Sequence, residues 1–573
     1  MKTNNNSFIT SIVSVIIIIL CSGIRLDAGI RINKETKDVK ITIEADLCVY
    51  GASGPGIAAA TAAAREGLSV VIIEPASKIG GLLGSGFRMA QDVPYADHLG
   101  GLTGEFYQRD INYPQPRHKQ GAGNENLKSL YQMMDDYKDL IQIIINHRLS
   151  SVKISNKTIQ EAIFEYAPVG KDGVPIPYRK TDNLISVKSK IFIDASYEGD
   201  LMASSNVPYR VGKESKDEYN ESLAGTVVGT KFPGVDPFKE KGNPKSGLLD
   251  CITPEPIGEI GSGSRFFMGY SFKLAWESNP TKEHPGILVT PPENKNKDLY
   301  ELLRRYEDAG YKTTWPFENY NRNELMTGAL PGGHLNYPDG DWPARAKVWQ
   351  EMIDHVRTLT DYTGQEFRLL SDINEDTGGW PFLYIRGGRR MVGEYVMTQQ
   401  DLQLQTDPTT PICLGYYPVD IYPNRLVVLE DGTLAHEGNM WLNTTPGPYR
   451  IPYESIIPKK EDCTNLLVPL CMSASHIAYS SIRMEATYMV IGESAGIAAA
   501  QAIEENKAVQ DIDRDKLTKS VKKYGQLLEW DGRGYRKWRY NIFGKPSDDI
   551  KHQGRWETNP EEYQVHPINT LWK

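Results

Sequence analysis

The side chains best equipped for chemistry in this chain fall in two late stretches, residues 382–402 (FLYIRGGRRMVGEYVMTQQDL) and residues 448–503. In the second, His476 is the group whose ordinary pKa lies nearest neutrality, which fits it to accept or give a proton. A single histidine serves equally as a hydrogen-bonded structural residue, and both roles stay open. Arg483 follows, with Glu485 as its orienting partner or as a plain salt-bridge mate. In the first stretch Arg386, Arg389 and Arg390 offer permanently charged planar forks that suit an anionic ligand. Gly387 and Gly388 favour close backbone approach to such a ligand, whereas ion pairs to Glu394 or Asp401 would make the arginines structural. A cation and a proton-exchanging group are both wanted where negative charge develops. His476, Arg483, Arg386 and Arg389 are therefore expected to meet in one catalytic pocket.

Those groups need a scaffold and a bound molecule to act on. Residues 41–87 read as a strand, a glycine turn, a helix and a second strand. The apolar run 46–50 leads to Gly51, which permits a tight turn, and 54–66 is alanine-rich, with Ile57 and Thr61 its only β-branched residues. The helix begins at Gly54, where its first amide groups lack intrahelical partners and its dipole is positive, so a pyrophosphate is the natural occupant. Gly67 closes the helix and 69–73 forms an apolar parallel strand. Glu74, at its end, stands where an acid accepts hydrogen bonds from an adenosine ribose, and its charge would repel a 2′-phosphate. The glycine pattern is Gly51, Ser53, Gly56, with serine at the middle position. Small residues in this register would also serve mere close packing of helix on strand. Gly80 and Gly81 then open a second glycine-rich turn, LLGSG, against a ligand that extends beyond the first contact.

That second turn resembles the double-glycine motif of two-dinucleotide-fold flavoproteins. With residues 191–212 (IFIDASYEGDLMASSNVPYRVG), 382–402 and 448–503 in the same order, the chain resembles the FAD-dependent oxidoreductases related to the flavin part of heterodisulfide reductase. The resemblance implies FAD, held by Gly51, Ser53, Gly54, Gly56, Glu74, Gly80, Gly81 and Gly492. It implies that 465–470 is a buried strand aimed at the isoalloxazine. It also implies that the small-residue helix around 492–500 sets a terminus on the flavin, where the anion left by hydride uptake is stabilised. The arginines would then face the reduced flavin or a substrate carboxylate. Iron–sulfur clusters are not expected, because the six cysteines are isolated and no Cys-x-x-Cys supplies thiolates locally. Flavin alone is expected, with no metal.

At 573 residues the chain exceeds one ordinary core. The expected class is α/β: a two-dinucleotide-fold flavoprotein whose Rossmann-like FAD domain carries an inserted mixed α+β substrate domain. The expected units are a leader (1–30), the first part of the FAD domain (41–206), the substrate domain with the arginine segment (207–455), the closing FAD part (456–506) and a C-terminal surface extension (507–573). Apolar spacing predicts helices over 99–109, 126–148, 297–309 and 344–367 and strands over 152–166 and 184–193. Glu198 and Asp200 suit a helix N-terminus as plain caps or as cofactor supports. The aromatics of 231–345, among them Phe266, Phe267, Tyr270, Trp315, Tyr320 and Tyr337, would line a sugar- or ring-binding cleft or simply pack.

A net charge of −9 with no long basic block argues against nucleic acid and anionic membrane surfaces as partners. Lys2, the apolar run 8–20 and the small residues Cys21, Ser22 and Gly23 read as a signal peptide. The run is shorter than the ~20 apolar residues of a spanning helix, with a retained anchor as the alternative. A periplasmic or secreted protein, processed between Cys21 and Arg31 and without stable membrane insertion, is expected. Its function is expected to be hydride transfer between flavin and a small polar substrate, a carbohydrate derivative among the candidates, with an unidentified electron acceptor. The alternative is a carbohydrate lyase or isomerase that uses flavin without net redox.

Overall fold

The computed structural model describes residues 31–33, 41–86, 98–111, 123–179, 184–277, 279–313, 329–442 and 445–530. The leader, Trp315, Tyr320 and the tail beyond 530 lie outside the described residues.

One eight-stranded sheet organises the chain. Its strands are β1 (Arg31–Asn33), β2 (Ile41–Tyr50), β3 (Val70–Ile73), β4 (Ile141–Ile144), β5 (His147–Ser155), β6 (Thr158–Tyr166), β7 (Leu184–Asp194) and β8 (Leu466–Leu467). Strands β4, β3, β2 and β7 lie side by side in parallel, and β6 and β5 continue the sheet antiparallel. β8, from far along the chain, joins β7 in parallel at Phe192 and Ile193. β3 is Val-Val-Ile-Ile and buried throughout, as a parallel strand covered on both faces must be.

The helices used below are α1 (Gly54–Arg65), α2 (Gly123–Met134), α3 (Asp200–Ser204), α4 (Lys297–Asp308), α5 (Trp342–Thr363), α6 (His476–Ile482), α7 (Glu485–Glu505) and α8 (Arg514–Lys523). α7 is buried along most of its length, and its sequence is accordingly apolar and small on every side.

Two expectations need correction. The helix predicted over 126–148 ends at Met134; a short 3-10 turn follows, and Ile141–Ile144 forms β4. Three- and four-residue spacing in YQMMDDYKDLIQIII runs across that turn, but the β-branched run Ile-Gln-Ile-Ile gains a full ladder on the open edge of β3, Val70 opposite Ile141 through Ile73 opposite Ile144. The single strand predicted over 152–166 is part of the β5–β6 hairpin. Its turn residues Asn156 and Lys157 have φ of 49° and 64°, the left-handed pair of a type I′ turn.

Among the described residues of 207–455 there is no second parallel nucleotide-binding sheet. Strands 228–232, 425–428 and 434–437 form a small antiparallel sheet, with α4 and α5 beside shorter ladders. α5 starts at Asp341, whose side chain accepts from Ala344 N–H, with proline in its first turn. The C-terminal extension begins docked: Leu517 and Val521 of α8 are buried, and Gln526 donates to Glu493 Oε2 of α7 at 2.6 Å. No helix among the described residues is long and apolar enough to cross a membrane.

Candidate functional site

The parallel strands β2, β3 and β7 end together at Tyr50, Ile73 and Asp194. In open α/β sheets a ligand binds outside these carboxyl ends. Here a cleft opens, lined by Gly51, Ser53, Glu74, Gly81, Tyr197 and Phe382 among others. Gly51 has φ +97°, and a Cβ there would stand 2.7 Å from the Ala195 carbonyl. A Cβ on Gly56 would stand 2.0 Å from the Gly51 carbonyl oxygen, so the third position needs glycine for close packing of α1 on the turn. Ser53 caps α1: its Oγ accepts from Gly56 N–H at 3.4 Å and donates to Ala195 O at 2.6 Å. The serine thereby ties the helix start to the end of β7, a bond that glycine could not make.

Gly80 takes φ +96° and donates its N–H to Ala52 O at 2.6 Å, bringing the second glycine turn against the first. Gly81 lies against the Tyr197 ring, 2.8 Å from where its Cβ would be. Gly54 is the least constrained of the set, its nearest neighbours being the flexible side chains of Leu83 and Met489. Glu74 is buried, and its oxygens accept from Ala52 N–H at 2.6 Å and Ala76 N–H at 2.7 Å. Burial pushes its pKa up to about 7 against the pull of those hydrogen bonds. Each carboxylate oxygen keeps a further lone pair for a ribose hydroxyl. A glycine cradle at a helix N-terminus, a buried acid at the next strand end and a second glycine turn fit FAD.

Gly492 stands elsewhere. It lies in the seam between α7 and α1, where an added Cβ would be 2.2 Å from Pro55 O, and Gly496 meets Ala59 O in the same way. Its role is helix packing, by which α7 holds α1 and so the cradle. Gly492→Ala is expected to cost about 1–3 kcal/mol through overpacking, read as a lowered urea midpoint at unchanged m-value. An unaltered midpoint would refute the seam as a constraint.

Glu198 and Asp200 do more than cap. Asp200 in α3 receives both Arg345 of α5, at 2.6 and 2.7 Å, and Arg389 at 2.7 Å. Burial opposes its ionisation, yet the two guanidiniums hold it below the usual carboxylate range. Glu198, a lining residue of the cleft, accepts from Tyr337 O–H at 3.0 Å. These bonds clamp the 207–455 region onto the carboxyl edge of the sheet.

His476 opens α6, and Glu214 holds it. One Glu214 oxygen accepts from His476 backbone N–H and from Nδ1, each at 2.9 Å, while the other accepts from Arg390 Nη2 at 2.6 Å. Burial works against ionised Glu214, but Arg390 and the His476 hydrogen bonds overrule it, so the carboxyl stays well below its usual range. Burial lowers His476 to about 4 despite Glu214. The ring is therefore neutral, Nδ1 carries the proton toward Glu214, and Nε2 is a buried acceptor without a protein partner. It lines a narrow cavity with Lys213, Arg390, Asn424, Tyr479 and Phe267. Lys213 is itself bound to Asn424 at 2.8 Å and Glu437 at 2.6 Å.

The four expected catalytic residues are distributed over three neighbouring environments. Arg386 and Arg483 come together: Arg386 stacks on Tyr422 at 3.7 Å and Tyr384 at 4.6 Å, and Arg483 donates to Tyr384 Oη at 2.9 Å and Asp420 O at 2.8 Å. His476 sits with Arg390, not with either of these. Arg389 turns to Asp200 and Asp339, so its ion pairs are not the sequence-local ones to Glu394 or Asp401. Glu485 turns to Tyr197, whose O–H donates to its Oε1 at 2.9 Å. Sequence reasoning missed Glu214, Lys213 and Tyr479. Of these only Tyr479, one helical turn after His476, carried a local signal.

Sheet, cradle and acid together define an FAD-binding flavoprotein of the Rossmann type. The description "FAD dependent oxidoreductase" matches residues 46–521, and the chain belongs to that family. Among solved structures, it is similar to Thermovibrio ammonificans THI4 (14% identity, 37% of this chain and 76% of that one, TM-score 0.23). It is also similar to the Bacillus halodurans glycerol-3-phosphate dehydrogenase complexed with FAD (12% identity, 33% and 43%, TM-score 0.20). A third is the L-proline dehydrogenase of P. horikoshii (12% identity, 35% and 28%, TM-score 0.18). No curated protein sequence matches the chain.

Proposed function

We propose that this FAD-dependent oxidoreductase transfers a hydride between a carbon centre of a small polar substrate and its flavin, with a carbohydrate derivative among the candidate substrates. The FAD, when bound, supplies the two-electron chemistry. The protein's part is to bind, orient and exchange a proton, and the observation that carries this reading is the His476–Glu214 pair. Glu214 fixes one tautomer, Nε2 is left ready to take a proton, and Arg390 keeps Glu214 charged. Within the family, the stretches 191–212, 382–402 and 448–503 support the branch related to the flavin part of heterodisulfide reductase.

The test is anaerobic mixing of the yellow protein with sugars, hydroxy acids and enoates, following loss of flavin colour. Bleaching by one class identifies the donor. Conversion of a sugar without any bleaching would replace this reading by a non-redox lyase or isomerase.

Export belongs to the same proposal, on the apolar run 8–20 and the small residues after it. Mass spectrometry of protein from its native envelope should show a start between Cys21 and Arg31; an intact Met1 would rule out cleavage.

A further inference from the structure

We infer that His476 Nε2 and Tyr479 Oη grip one substrate oxygen, which makes the substrate of the proposed hydride transfer an alcohol or the carbonyl compound it is oxidised to. This rests on the oxidoreductase reading above and adds a residue and a substrate class to it.

The two residues are three apart on α6, so they share a face of that helix, and both line the narrow cavity beside Phe267 and Met268. Their hydrogen-bonding senses are complementary. His476 Nε2 is a buried acceptor with no partner, because Nδ1 is committed to Glu214. The Tyr479 hydroxyl accepts from Tyr488 O–H at 2.7 Å, so its own proton is left to donate. Burial pushes the Tyr479 pKa up, which keeps that proton in place. One donor and one acceptor on residues that line one cavity match a hydroxyl, which gives a hydrogen bond to Nε2 and accepts one from Tyr479. Neither group has any use for a saturated carbon–carbon bond.

In the oxidative direction the step balances. The substrate C–H bond breaks with its electron pair, which leaves as hydride to the flavin. The O–H proton passes to His476 Nε2, the C=O bond forms, and Tyr479 keeps its proton while its hydrogen bond follows the oxygen. The imidazolium so formed lies against the Glu214 carboxylate, which stabilises it. Glu214 is a positioning residue; His476 and Tyr479 touch the reacting atoms.

The experiment uses FAD-loaded protein labelled with 15N at histidine, with glycerol and dihydroxyacetone as an alcohol and ketone pair and propionate as a hydroxyl-free control. Free protein should show His476 protonated at Nδ1 and bare at Nε2, and Glu214→Gln should disturb that tautomer. Glycerol and dihydroxyacetone should move the Nε2 resonance, and Tyr479→Phe, which removes only the hydroxyl, should weaken the response about tenfold or more while FAD stays bound. A resonance unmoved by both probes, moved by propionate alone, or equally responsive in Tyr479→Phe overturns the assignment. The underlying reading fails separately: probes that shift Nε2 in a protein whose flavin no donor bleaches would leave the pocket standing and remove the redox function.

Discussion

A Glu74→Arg variant is expected to purify colourless, with FAD affinity reduced by at least ~10³-fold. The carboxylate is buried and holds the N–H groups of Ala52 and Ala76. Its loss leaves two buried donors unpaired, at about 1–3 kcal/mol each in folding stability. For binding, the variant loses the charged acceptor of the ribose hydroxyls, about 1.5–3 kcal/mol per hydrogen bond, and sets a bulkier side chain where the ribose would lie, which together reach the ~4 kcal/mol that a thousandfold represents. Flavin absorbance per protein after gel filtration, and fluorescence titration of the apoprotein, measure it. A yellow variant would remove Glu74 from the cofactor site.

The same residue sets a pH dependence whose direction differs for folding and for binding. The folded apoprotein raises Glu74 from 4.5 to about 7 by burial, so it keeps a proton that the unfolded chain gives up. That contribution to apoprotein stability is complete below the unfolded pKa and is lost as pH rises through about 7. Ribose hydroxyls donating to the carboxylate favour its ionised form, so FAD affinity should rise with pH, by up to about tenfold per unit, and level off above the apoprotein pKa. Glu74→Gln should flatten the binding profile; an unchanged slope would assign the proton to another group.

The cradle was legible because everything that defines it is local. From Gly51 to Glu74 the chain makes one strand, one turn, one helix and one strand, and the turn's φ, the cap and the strand-end acid follow from residues within 23 positions of one another. What Ser53 does was not legible, because its second partner, Ala195 O, is 142 positions away. β4 failed for the same reason: Ile-Gln-Ile-Ile is helical or extended by its own pattern, and the edge of β3 decides. Gly492 carried a signal with two readings, since a glycine in a small-residue helix fits a close helix neighbour as well as a ligand, and Pro55 O shows the helix neighbour. The ion pairs were invisible in principle. Arg389 finds Asp200 across 189 positions and His476 finds Glu214 across 262, and no spacing rule links them.

His476→Ala is expected to lower the rate of flavin reduction by about 10²–10⁴-fold while leaving FAD bound. FAD should be retained because His476 lines the cavity beside Tyr479 and Arg390, whereas the cradle glycines line the other cleft. The rate should fall because, on the proposed reading, the unpartnered Nε2 takes the substrate proton and alanine offers no acceptor. Burial lowers the His476 pKa to about 4, so the acid limb of kcat/KM should lie near 4 and not near the ordinary 6.5 of a free imidazole. The stability sign follows from the same shift. The unfolded chain takes up a proton below 6.5 that the folded protein refuses until about 4, so stability is lost as pH falls through that window, and the alanine variant should lose less. Glu214→Gln should reduce kcat with little change in KM, because it frees the tautomer without removing a substrate contact. A His476→Ala protein whose flavin is reduced at the wild-type rate between about pH 5 and pH 9 would make the histidine a structural residue, held by Glu214 for packing alone.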